Sequence, residues 1–177
     1  MQIPSESSDV NPYLRIAENL DVFHPGEIQI LKGVLDDYQQ SRDGYIILDE
    51  KEETRIIGFV IFGRIPLTMY GWDIYWLAVN KSNQGRGIGK KLISRVEEYI
   101  TRQDRIANLR VETSTRKEYA HARNLYLKAG FQEVGRIADF YDKNDDIVVF
   151  CKRLELAIPE SPDKTSIGPE SIITPSA

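Results

Sequence analysis

The order strand, glycine turn, helix across residues 72–100 constrains the fold of this chain more than any other feature. Residues 72–79 read as a strand with Asp73, Tyr75, Leu77 and Val79 on one face and Ile74, Trp76 and Ala78 on the other. Asn80-Lys81-Ser82-Asn83 follows, then Gln84-Gly85-Arg86-Gly87-Ile88-Gly89, and from Arg86 a helical pattern sets Ile88, Leu92, Val96 and Tyr99 or Ile100 in register. Small residues in a row let backbone N–H groups converge on an anion, and the helix N-terminus adds about +0.5 of an elementary charge. Arg86, Lys90 and Lys91 gather positive charge here, on a chain whose net charge is -4. The loop therefore predicts a grip for the diphosphate of a phosphorylated nucleotide cofactor.

Two familiar phosphate loops fail on spacing. A Walker A loop needs GxxxxGK followed by Ser or Thr, whereas Gly89-Lys90 is followed by Lys91 and lacks the first glycine. The dinucleotide fingerprint GxGxxG fails because the third glycine comes one place early, at Gly89, and no early βαβ unit precedes it.

The rest of the chain supplies one domain. Residues 25–39 carry Ile28, Leu31, Leu35 and Tyr38 on one helical face, after a polar lead-in. Residues 44–48 and 56–62 read as two antiparallel strands around a charged connection at 49–55. A strand at 108–113, a helix at 117–128 stopped by Gly130, and closing strands at 131–135 and 147–154 around an acidic loop at 142–146 complete the pattern. The domain is expected to span residues 1–156. Residues 157–177, rich in Pro, Ser and Thr, are expected to form a disordered tail.

Composition narrows the partners. With 23 Lys and Arg against 27 Asp and Glu, the chain has no basic excess for nucleic acid, and no apolar run reaches the ~20 residues of a membrane span. A cytoplasmic monomer or homodimer is expected. The lone cysteine, Cys151, lies in the apolar run Ile147-Val148-Val149-Phe150 and reads as a buried small hydrophobe. His24 and His121 have no neighbours at metal-ligand spacing, so no metal is predicted.

Gln84, Gly87 and Gly89 together match QxxGxG, and residues 122–131 match AxxLYxxxGF through Ala122, Leu125, Tyr126, Gly130 and Phe131. In these two motifs, in this order, the sequence resembles the GCN5-related N-acetyltransferase (GNAT) superfamily, over roughly residues 28–153. The resemblance implies an α+β fold: a mostly antiparallel, twisted sheet of six to seven strands with a splayed parallel pair, flanked by about four helices. It also implies acetyl-CoA as cosubstrate, held by Gln84, Gly85, Arg86, Gly87, Ile88, Gly89 and Lys90, with the backbone of Leu77, Ala78 and Val79 along the pantetheine arm. Where many relatives carry Asn, seven places before the motif tyrosine, this chain has Tyr119.

Acetyl transfer from a thioester needs a polarised carbonyl, a proton acceptor for the amine and a proton donor for the thiolate. Tyr126 matches the family position of the general acid, and a backbone N–H at Val79 would polarise the carbonyl. Asp73 stands at the strand offset where some relatives place a base, and would need a raised pKa or a relaying water; Glu112 is the second candidate. Tyr75, on the side of Asp73, and Asp139 and Tyr141, at the last hairpin, are expected to meet the acceptor. Arg116 would suit an acceptor carboxylate. The expected activity is N-acetylation of a primary amine on a small molecule or amino acid. The alternatives are a protein or peptide N-acetyltransferase and a non-catalytic acyl-CoA sensor.

Overall fold

The computed structural model describes residues 11–40 and 44–156. In chain order it contains α1 (Pro12–Glu18), α2 (Pro25–Gln39), β1 (Tyr45–Glu52), β2 (Arg55–Arg64), β3 (Gly71–Val79), α3 (Ile88–Gln103), β4 (Ile106–Ser114), α4 (Ala120–Lys128), β5 (Gln132–Asp142) and β6 (Asp145–Glu155). The strands form one six-stranded sheet of order β1-β2-β3-β4-β6-β5. Among the described strands only β3 and β4 pair in parallel, because the connection between them crosses over through α3.

Helices cover the sheet on both faces. On one, Leu92, Ile93, Val96 and Ile100 of α3 bury against Val60, Phe62, Trp72 and Leu109. On the other, Leu31 and Leu35 of α2 meet Phe59, Ile61 and Ala78. Each fully buried Leu, Ile or Phe contributes about 1.5–3 kcal/mol, so both layers are needed to hold the strands.

The structure departs from the sequence reading at the lead-in and at the first and last hairpins. The lead-in contains α1, begun by Asn11, whose side chain accepts from the Tyr13 N–H, and by Pro12 at its first position; Ile16, Ala17 and Leu20 enter the core. The first hairpin is tighter than the charged connection suggested, since Asp49 to Glu52 continue β1 and the turn narrows to Glu53-Thr54, with Glu53 at φ +56. The last two strands extend to Asp142 and from Asp145, leaving a tip of Lys143-Asn144. The expected tail at 157–177 lies outside the described residues.

Candidate active site

β3 and β4 share only four residue pairs, from Gly71↔Asn108 to Ile74↔Val111. Beyond them β3 stays with β2 and β4 stays with β6, so the two diverge. A cleft of about 1570 Å³ borders the diverging ends, the loop before α3, α4 and the β5–β6 hairpin tip. A β-bulge accompanies the fork: Ile61 faces Trp76 and Phe62 faces Ile74, which leaves Tyr75 as the extra residue. The bulge overturns the strict alternation expected along this strand. Leu77 and Val79 join Ile74 on the α3 side, while Tyr75, Trp76 and Ala78 pack on the side of α1 and α2.

At the α3 end, Gly85 (φ +74) and Gly87 (φ +80) take left-handed conformations that favour glycine. Gly87 caps α3 without a side-chain hydrogen bond, and the first turn holds no acid. Gly89 serves a different purpose. A Cβ there would lie 2.8 Å from Leu125 Cδ2, so its absence lets α3 and α4 approach. Gln84 donates from Nε2 to the Val79 carbonyl at 3.1 Å and thereby ties the loop to β3.

The basic trio divides. Arg86 pairs with Glu52 at 2.9 Å and is not on the cleft wall, while Lys91 pairs with Glu50 at 2.6 Å. Lys90 borders the cleft and has no carboxylate partner among the described residues. Positive potential at this end comes from Lys90 and the helix N-terminus.

Tyr126 also borders the cleft and is 5% exposed, held between the rings of Phe131 and Phe150 at 5.8 and 5.9 Å. Burial pushes its phenol well above the usual tyrosine range. On the strands, Arg110 bridges two acids. Its Nη2 donates to Asp73 Oδ2 at 2.5 Å and its Nη1 lies 3.0 Å from Glu112 Oε1. Asp73 is 6% exposed, and its Oδ1 has no partner. Burial raises the Asp73 pKa, and the Arg110 hydrogen bond opposes it only in part. Tyr75, its neighbour, is raised by burial and then by the Asp73 charge.

The opposite wall combines distant segments. Glu27 of α2 accepts from the Tyr119 hydroxyl at 2.9 Å and from the His24 N–H at 2.8 Å. Arg116 contacts His24 Nε2, lies 3.6 Å from Glu118 and places its guanidinium 5.4 Å from the Tyr119 ring centre. Tyr141 is on this wall, its phenol raised by burial and then by Glu112, Asp145 and Glu27. Asp139 is not. At φ +52 it accepts from the Asn144 N–H at 2.6 Å, which makes it a brace for the hairpin tip. His121 is exposed at the cleft margin.

Sequence reasoning missed Arg110 as the partner of Asp73, and Glu27 and Tyr119 as parts of one wall. Arg110 meets Asp73 only through the parallel register, and Glu27 meets Tyr119 across 92 positions of sequence. No local pattern carries such contacts. Cys151 lies half-buried on β6 with its thiol pushed up by burial.

The family model described as "Acetyltransferase (GNAT) domain" matches residues 41–133, more than half of the chain. Among solved structures, a Desulfovibrio desulfuricans protein assigned to the GNAT family of acetyltransferases is 28% identical, with a TM-score of 0.76 over 85% of this chain and 94% of that one. The ribosomal-protein-S18-alanine N-acetyltransferase of Escherichia coli is 17% identical, with a TM-score of 0.67 over 90% and 96%. An aminoglycoside 6'-N-acetyltransferase complexed with coenzyme A is 18% identical, with a TM-score of 0.61 over 92% and 100%. No curated protein sequence gives a significant match.

Proposed function

Given that the chain belongs to the GNAT acetyltransferase family, we propose that it moves the acetyl group of acetyl-CoA directly to a primary amine of a small molecule. One observation carries this reading: a single cleft is bordered at once by the glycine loop, by Tyr126 and by Asp73. The N–H groups opening α3, with Lys90, would take the diphosphate. The backbone of residues 77–79 has no strand beside it on the β4 side among the described residues, and would pair with the extended pantetheine arm.

In the transfer, the amine nitrogen attacks the thioester carbonyl carbon. The C–N bond forms, the C–S bond breaks, and sulfur leaves with the electron pair. A backbone N–H near Val79 stabilises the negative oxygen of the tetrahedral intermediate. The amine proton passes to Asp73 Oδ1, directly or through one water, and the Tyr126 hydroxyl supplies a proton to sulfur. Burial that raises the phenol also raises a thiolate leaving beside it, so donor and acceptor stay matched.

The test follows CoA thiol release from acetyl-CoA over a panel of amines, amino acids, polyamines and peptides. Tyr126→Phe is expected to lower kcat about 100-fold while acetyl-CoA affinity stays within about twofold. Unchanged turnover in that variant removes Tyr126 from the chemistry. Binding of acetyl-CoA without release to any acceptor makes the chain a sensor instead.

A further inference from the structure

The two ends of the cleft differ in charge. At the α3 end the wall carries Lys90 and a helix N-terminus without acids in its first turn. At the far end Asp73, Glu112, Glu27 and Asp145 share the wall with the phenols of Tyr119 and Tyr141. One guanidinium, Arg110, serves both Asp73 and Glu112. Glu27 is satisfied by a phenol and a backbone N–H, and Asp145 accepts from the Ser114 hydroxyl, so neither carboxylate is neutralised by these bonds. Of the other cations at this end, Arg116 leans toward Glu118 on the rim and Lys143 is exposed at the hairpin tip. The far end keeps an excess of negative charge.

A second observation points to a ligand. Asp73 is 6% exposed, yet its Oδ1 has no hydrogen-bond partner and the residue faces the cleft. A buried carboxylate oxygen left unpaired is destabilising, and an incoming N–H donor would relieve it. The charges of Glu112, Asp145 and Glu27 all reach the Tyr141 phenol, which borders the same cleft as Asp73.

From this arrangement we infer that the acceptor carries a second cationic nitrogen besides the one that reacts, as an unbranched diamine or polyamine does. The inference rests on the acyl-transfer reading for the reacting nitrogen, which sits at Asp73 Oδ1. The second nitrogen stays protonated among Glu112, Tyr141 and Glu27, where carboxylates and an aromatic ring both favour an ammonium. An acceptor with a carboxylate in that place would face several acids and one engaged arginine.

The experiment compares kcat/KM for putrescine and cadaverine with that for n-butylamine, n-pentylamine and the ω-amino acids of the same length, using the full chain. Binding of the same compounds to the protein saturated with CoA is measured by calorimetry. The diamines are expected to exceed both other sets by roughly tenfold or more in both measurements, the scale of one added charge-assisted contact. Glu112→Gln is expected to shrink the diamine preference about tenfold while binding of CoA alone is unchanged. Equal rates and affinities for monoamines, a preference for the amino acids or for a peptide amine, or a preference that Glu112→Gln leaves intact each overturn the inference. Diamines that bind selectively yet never release CoA from acetyl-CoA uphold the second-cation site and overturn the transfer reading alone.

Discussion

Asp73 carries its charge where burial disfavours it, and the Arg110 bond repays only part of that cost. A neutral isostere would not bear it. Asp73→Asn is therefore expected to melt at the same temperature as the parent or a few degrees higher, while kcat/KM falls by about 100-fold. Melting curves beside steady-state rates check both halves; early unfolding would make the pair with Arg110 structural. Gly89 offers the converse case. Gly89→Ala gains about 1 kcal/mol of helix propensity but sets a methyl 2.8 Å from Leu125 Cδ2, which must move. Stability is expected to change little. Turnover is expected to drop roughly tenfold, since Leu125 adjoins Tyr126 in sequence, and Leu125→Ala in the same chain should restore much of it. Residue by residue, the places of the glycine loop and Tyr126 on the cleft were legible because each lies in a short local motif. The task of Gly89 was not, because the motif letter is the same for a phosphate cradle and for a helix contact. Nor does a motif letter show that the Gln84 amide holds the Val79 carbonyl.

Among the elements, α3 is fixed to β1 through Glu50, a 7% exposed carboxylate that takes Lys91 at 2.6 Å and Arg95 at 2.8 Å. Burial works to raise the Glu50 pKa, and the two cations outweigh it and hold the group below the usual carboxylate range. A lowered folded value means stability present above the unfolded pKa, about 4.3, and lost as pH falls through the folded one. Glu50→Gln is expected to cost about 1–2 kcal/mol at neutral pH, with the gap to the parent closing below about pH 4 in denaturant titrations. Helix α2 and the apolar runs of β2 and β6 were readable from periodicity alone. The faces of β3 were not, because the bulge at Tyr75 inserts one residue into an otherwise regular period of two. Helix α1 escaped because seven residues give too few turns for a periodic signal, although Asn11-Pro12 marks its start.

Over the whole molecule, four residue pairs join the β1-β2-β3 half of the sheet directly to the β4-β6-β5 half. A ligand that pairs with β3 beyond the fork would brace both halves. Acetyl-CoA at about 100 times its Kd is expected to stabilise the fold by about 2.7 kcal/mol, a rise in Tm of roughly 5–10 °C. Gly87→Glu should abolish that rise by blocking the loop and repelling phosphate, which thermal melts with and without acetyl-CoA would show. Fold class and family were legible from the sequence. The charge of the far wall was not, since it is assembled from α2, β3, β4 and the last hairpin. The fork and its bulge carry one further consequence. The alignment proposed there is a main-chain one, so it depends on the number of residues in β3 as well as on their side chains. Deleting Tyr75 would restore a regular period of two, with Leu77 and Val79 still on the α3 side, and would remove the bend that the bulge gives β3 at the fork, undoing at once what many substitutions would leave intact.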